Sequence, residues 1–168
     1  MSENIYIRRW SEDDWEVFKA MRLEAVKDHS NVFLDNIDMA SQYDDGYWID
    51  TVGDSYNAAI FGLYGGNNVI GLAGVFRYRE SKKDSVVFGM SYIRKNYRGR
   101  GLSSLLYKAR IDWASSQNGI KLIIASHREG NKESRASIIK HGFKLIKMEE
   151  KTYGDGTSDV SYMYGLKI

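Results

Sequence analysis

Apolar residues recur along the chain at two different periods, and the switching between them lays out the elements. Ile5 and Ile7 alternate with Tyr6 and Arg8, the two-residue period of a strand. Ser11 then stands before Glu12, Asp13 and Asp14, a hydroxyl N-cap followed by acids where free amides and the helix dipole favour negative charge. Trp15, Phe18, Met21 and Ala25 follow at three- and four-residue steps, with Leu23 and Val26 widening the stripe, so a helix is expected to about Lys27. Residues 28–55 are acidic, aromatic and irregular, with Tyr43, Tyr47 and Trp48 on a short helix before Gly53. The β-rich runs 58–64 and 69–78 are joined by Gly65, Gly66, Asn67 and Asn68, which tolerate positive φ and predict a hairpin.

After the polar residues 80–84, a strand is expected over about 85–94. A helix over 102–117 follows, its stripe given by Leu102, Leu105, Leu106, Ala109 and Trp113, with Gly119 placed to end it. Residues 121–126 read as a short buried strand. Asn131 opens and Gly142 stops a helix over about 132–141, and strands near 143–153 and 158–166 flank the turn at 154–157. The order β-α-α-β-β-β-α-β-α-β-β predicts an α/β (mixed α+β) fold, a mixed sheet with helices on its faces. At 168 residues, the whole chain, 1–168, is expected to form a single domain whose core needs neither disulfides nor metal.

Composition narrows the class. With 43% hydrophobic and 27% charged residues the chain reads as water-soluble, and no apolar run approaches the roughly 18 residues of a spanning helix. The start M-S-E-N-I-Y lacks the pattern of a secretory signal, so a cytoplasmic protein with no membrane partner is expected. The lack of cysteine excludes disulfides, thiolate metal sites and a thiol nucleophile. His29, His127 and His141 match no compact metal-binding spacing, and no metal is expected.

The net charge of +2 is too small to argue for nucleic acid, but it is unevenly spread. From Asp28 to Phe76 there is no Lys or Arg, and seven aspartates occur: Asp28, Asp35, Asp38, Asp44, Asp45, Asp50 and Asp54. Between Val86 and Ile111 there is no acid, and Arg94, Lys95, Arg98, Arg100, Lys108 and Arg110 crowd together. This segregation suggests one end that meets an anion and another that meets a cation; unevenly charged solvated faces are the plainer explanation.

The most informative stretch is Tyr92 to Leu106, where a strand passes into a helix through two glycines. Backbone N–H groups at a helix start carry partial positive charge and can hold a phosphate, and Gly99 and Gly101 let it come close. An ordinary tight turn, or an R-G-R-G patch for RNA, would use the same residues; no aromatic stacking motif supports the latter. Here the sequence resembles the GNAT superfamily of N-acetyltransferases, whose acetyl-CoA loop reads Arg or Gln, two residues, Gly, one residue, Gly or Ala. Arg98, Gly101 and Ser103 take those positions, Ser103 being a mild departure. Downstream, Asn131, Ser134, Gly142 and Phe143 match the family's second segment, and the aromatic residue it carries between them is missing.

The resemblance implies acetyl transfer from acetyl-CoA to a primary amine, with no covalent enzyme intermediate and no metal. The acceptor would be a small cationic metabolite, a polyamine, an antibiotic-like amine or a protein amine, the cationic preference resting on the aspartate-rich segment. It implies a CoA site built from Tyr92, Ile93, Arg98, Gly99, Arg100, Gly101, Leu102, Ser103, Asn131 and Ser134, and it allows a homodimer paired through an exposed final strand. The family's glutamate falls near Val87 and its tyrosine acid at Ile138, neither of which handles a proton. Yet a lysine-like amine is neutral in only about one molecule in 2,500 at pH 7, which adds about 4.6 kcal/mol unless a base or a pKa-lowering pocket removes the proton. Glu80, Asp84, His127 and the aspartates of 28–54 are the remaining bases, and Ser134, Ser137 or Tyr92 the remaining acids; His127 and Ser134 are taken as the catalytic candidates. Tyr43, Tyr47 and Trp48 would wall an amine pocket beside Asp44 and Asp45, unless they are core and surface respectively. An acyl-CoA-binding sensor of the same fold, with little turnover, is the alternative.

Overall fold

A computed structural model describes residues 2–78 and 82–168. Strands β1 (Ile5–Arg9), β2 (Ala58–Gly65), β3 (Asn68–Arg77), β4 (Ser85–Ile93), β5 (Leu122–Arg128), β6 (Lys144–Thr152) and β7 (Ser158–Lys167) form one sheet in the order β1-β2-β3-β4-β5-β7-β6. Every neighbouring pair is antiparallel except β4 and β5, so the sheet is mixed, as expected. The helices are α1 (Trp15–Asp28), α2 (Ile37–Ala40), α3 (Asp45–Gly53), α4 (Ser103–Ser116) and α5 (Lys132–Lys140). No helix among the described residues is long and apolar enough to cross a membrane.

Alternate side chains of β2 divide the interior into two layers. Ala59, Phe61 and Leu63 pack with Leu106, Trp113 and Ile138 of α4 and α5, and Ile60 packs with Phe18, Met21 and Trp48 of α1 and α3. The segment 28–55 differs from its reading by one element, the single turn α2. Asn36 caps it by accepting from the Met39 N–H at 2.9 Å, and Asp44 caps α3 by accepting from the Tyr47 N–H at 2.9 Å.

The final strand β7 is not an edge: it lies between β5 and β6, and the antiparallel return of β6 is what covers it. The edge strand on that side is β6, where Leu145, Ile146 and Met148 are exposed among Lys144, Lys147 and Lys151. Any pairing between copies through this end of the sheet therefore falls to β6 rather than β7.

Two departures from regular pairing shape the site. The parallel pair β4–β5 holds for Ser85↔Leu122, Val86↔Ile123 and Val87↔Ile124; beyond these, β4 continues on β3 and β5 on β7, so the strands part. Opposite, the β3–β4 register slips between Leu72 and Gly74, setting Met90 and Ser91 against the one residue Ala73. Met90 takes φ 57 at this bulge, which bends β4 away from β5.

The loop that overhangs the parted strands is fixed from far along the chain. Gly154, in the β6–β7 turn, donates its N–H to the Phe33 carbonyl at 2.8 Å, and a methyl added there would overlap the Asp35 carbonyl oxygen. Gly154→Ala is therefore expected to displace the 30–35 loop and cost about 1–3 kcal/mol, read as a Tm lowered by several degrees in thermal unfolding. An unchanged Tm would contradict this packing.

Candidate functional site

Two hollows meet where β4 and β5 part. One, of about 550 Å³, runs along Tyr92 and Ile93 to the bend Arg98–Ser103 and is closed by Tyr107 of α4 and by Asn131 and Ser134 at the start of α5. The other, of about 430 Å³, enters between Val87–Ser91 of β4 and Ala125–Arg128 of β5 under the loop residues Phe33, Leu34 and Asp35. Ser91, Tyr107, Arg110, Asn131 and Ser134 line both, so they surround the passage from one to the other.

The bend leaves a row of backbone donors open. Gly99 and Gly101 sit at φ 75 and 73, a region costly for other residues, and nothing lies within 4 Å of where their Cβ atoms would be. The chain thereby turns so that, among the described residues, none of the N–H groups from Gly99 to Ser103 donates to another backbone group, while the next two close the first turn of α4 onto Gly101 and Leu102. A row of unpaired donors at a helix start is an oxyanion cradle. Arg98 is drawn back against it: Nε donates to the Ile93 carbonyl at 2.6 Å, and Nη2 lies 2.6 Å from Nε2 of His29. Since the guanidinium can only donate, His29 accepts and is neutral. Burial first, and then the Arg98 charge, hold its imidazole below the ordinary histidine range. Arg100 departs from its expected place: its side chain is exposed, over Tyr97 and bonded to the Asn96 carbonyl at 3.2 Å, so only its N–H belongs to the cradle.

Asn131 caps α5, its Oδ1 accepting from the Ser134 N–H at 3.2 Å, which brings Ser134 to the passage with its hydroxyl unbonded among the described residues. His127 lines the second hollow, but both nitrogens are committed. Nδ1 lies 2.8 Å from the Arg128 carbonyl, which can only accept, so Nδ1 carries a proton, and Nε2 lies 3.0 Å from the Tyr164 hydroxyl. Stacked on Tyr162 and 7% exposed, His127 has both nitrogens engaged by protein groups rather than turned towards an acceptor amine.

Other expectations are also revised by geometry. Tyr92 donates its hydroxyl to Asp28 at 2.8 Å, and burial followed by this carboxylate raises its pKa, so its proton is not offered to the groove. Tyr43 and Tyr47 are half-buried and stack with centroids 4.0 Å apart, Trp48, 1% exposed, meets both of them and Phe18 edge-on, and none of the three lines either hollow. Asp44 is a helix cap, Asp45 pairs with Lys19 at 2.9 Å, and of the seven aspartates only Asp35 lines either hollow. Asp84 sits at the paired end of β4 and lines neither hollow, and Glu80 lies outside the described residues. Val87 and Ile138 do line the second hollow and leave the usual proton-handling positions apolar.

Sequence reasoning missed Tyr107 and Arg110. Arg110 is 1% exposed, bonded through Nη1 to Ser91 Oγ at 2.9 Å and through Nε to the Leu106 carbonyl at 3.1 Å, with its guanidinium 4.0 Å from the centre of the Phe88 ring. Burial pulls its pKa down to about 10, so it stays charged at neutral pH. The signal was present: Leu106, Arg110 and Trp113 are steps of four and three, which puts a charge on the apolar stripe of α4. Tyr107 stacks on His141 with centroids 4.2 Å apart, and its hydroxyl has no hydrogen-bond partner among the described residues. Burial raises its pKa and keeps it protonated.

The fold has known counterparts. An acetyltransferase (GNAT) domain profile matches residues 4–144. Among solved structures, a GNAT-family acetyltransferase from Streptococcus pneumoniae aligns over 98% of this chain and 100% of its own, with TM-score 0.80 and 18% identity. The yncA protein of Salmonella typhimurium, solved with its cofactor acetyl-CoA, aligns over 97% and 93%, with TM-score 0.79 and 17% identity. RimL, a ribosomal alpha-N-protein acetyltransferase solved with coenzyme A, aligns over 99% and 96%, with TM-score 0.77 and 15% identity. No curated protein matches at the level of sequence. With 141 of its residues inside the matched domain and the same fold throughout, the chain belongs to the GNAT acetyltransferase family.

Proposed function

We propose that this protein moves an acetyl group from acetyl-CoA to a primary amine, with the pyrophosphate on the Gly99–Ser103 amides and the thioester at the passage beside Ser91. The observation that carries this reading is the row of undonated N–H groups opening onto a groove that ends where β4 and β5 part. In the reaction the amine nitrogen attacks the thioester carbon, the C–S bond breaks, the nitrogen loses a proton and the sulfur gains one.

The residues at the passage suggest how the protons are handled. None of them is a carboxylate or a free imidazole, so the amine arrives neutral rather than being deprotonated by an adjacent base. The Arg110 charge and the low-dielectric walls favour that, since both lower an ammonium pKa. Tyr107, with its free hydroxyl, is placed to protonate the departing thiolate, the role Ile138 cannot take; Ser134 is the other hydroxyl there. A second reading, an acyl-CoA sensor with little turnover, is favoured by the apolar Val87 and Ile138. CoA affinity without acceptor-dependent thiol release across a broad amine panel would select it.

Calorimetry with acetyl-CoA, followed by thiol release in the presence of amines, tests the activity: saturable binding and amine-dependent release are expected, and absence of binding contradicts it. Gly101→Ala is expected to raise the Kd for CoA by about 10- to 100-fold, one charge-assisted hydrogen bond being lost from the cradle. Tyr107→Phe is expected to lower kcat by about 10- to 100-fold with KM for acetyl-CoA unchanged. For the wild type, kcat/KM is expected to rise about tenfold per pH unit below the acceptor's own pKa, because the neutral amine is the reactant; a plateau from about pH 7 would reveal a protein base.

A further inference from the structure

The hollow that would receive the acceptor carries the opposite charge from that suggested by the aspartate-rich segment. Four cationic side chains line it, Arg22, Arg110, Arg128 and Lys151, against the one carboxylate of Asp35. Three of them have a counter-ion: Arg128 has Asp155 at 2.8 Å and Asp159 at 3.3 Å, Lys151 has Glu149 at 3.3 Å, and Arg22, 6% exposed, has Asp35 at 3.4 Å, with its buried Nη1 left without a partner among the described residues. Among the described residues Arg110 has no carboxylate partner, and its Nη2 makes no hydrogen bond.

A buried charge lacking a counter-ion is costly and is expected only where something compensates it. CoA does not: its phosphates belong at the Gly99–Ser103 bend, and its pantetheine arm is uncharged. The compensating anion therefore arrives with the other substrate. Resting on the acetyl-transfer reading above, we propose that the acceptor is an amine that also bears a carboxylate, an amino acid or similar small amino carboxylate. Arg110, at the passage, anchors the anion nearest the reacting amine, and Arg22 supplies the second positive wall.

The full-length protein with acetyl-CoA is assayed by thiol release against the common amino acids, their carboxamides and the corresponding decarboxylated amines. Carboxamides have the less basic amine, so intrinsic reactivity favours them and the comparison works against the proposal. The expected result is a kcat/KM about 10- to 100-fold higher for at least one amino acid than for its carboxamide, as for other charge-assisted contacts. In Arg110→Met that ratio falls towards one, with CoA affinity retained and Tm unchanged or raised, since apolar replacement of a buried charge is often neutral or stabilising.

Carboxamides or plain amines used as well as the amino acids would overturn the proposal and leave acetyl transfer standing. So would a wild-type carboxylate preference that survives both Arg110→Met and Arg22→Met. A uniform loss of kcat for all acceptors in Arg110→Met would assign the charge to the thiolate or the tetrahedral oxyanion instead. Binding of CoA with no release for any amine would remove the acetyl-transfer reading and this one with it.

Discussion

The site depends on a strand pair that is allowed to fail. β4 and β5 are the one parallel junction in the sheet, and they stay together for three residue pairs before each keeps to its outer neighbour. Unpaired strand edges in a sheet centre would ordinarily be filled by pairing. Here the bulge at Met90 and Ser91 turns β4 away, and the antiparallel β5–β7 ladder holds β5 on its own course to Arg128. The gap exposes backbone that an extended, amide-bearing ligand arm can replace as a strand would. At one end of it stands the glycine bend with its unpaired amides, and at the other the charged hollow under the 30–35 loop.

Much of this was legible from the residues. The strands and the long helices follow from period two and period 3.6, and Asn131 and Gly142 bracket α5 as cap and stop residues do. The bend was legible because its chemistry is local: two glycines and a helix start suffice, and the fold adds only the walls. What was not legible depends on which segments lie across from one another. The seven aspartates cluster in sequence yet scatter in space, as a cap on α3, a surface pair with Lys19 and a partner for Tyr92. His127 stands beside the hollow as expected, but its role is decided by Tyr164, a residue 37 positions away. The loop at 30–35 is placed by Gly154, a contact that local propensity cannot announce.

Arg110 shows the same limit from the other side. In the sequence it belongs to a basic run that reads as a solvated or phosphate-facing patch. In the fold, that run divides: Lys108 is exposed and pairs with Asp112 at 2.6 Å, Arg94 is held by Glu24 at 2.9 Å, and Arg98 braces the bend. Arg110 alone goes inward, under the bulge, bonded to Ser91. In the reaction proposed above, a positive charge there would lower the cost of presenting a neutral amine and give a negative group on the acceptor a partner. The apolar Val87 and Ile138 would then be compatible with turnover, the proton problem being met by electrostatics and by Tyr107 rather than by a strand carboxylate.

All of this requires the cofactor to lie along the parted strands with its diphosphate at the bend. A crystal structure of the protein with coenzyme A measures that directly. Diphosphate oxygens within hydrogen-bond distance of the Gly99–Ser103 amides, and the sulfur between β4 and β5 beside Ser91, are the predicted result. A diphosphate held elsewhere, or a sulfur outside the gap, would contradict the account.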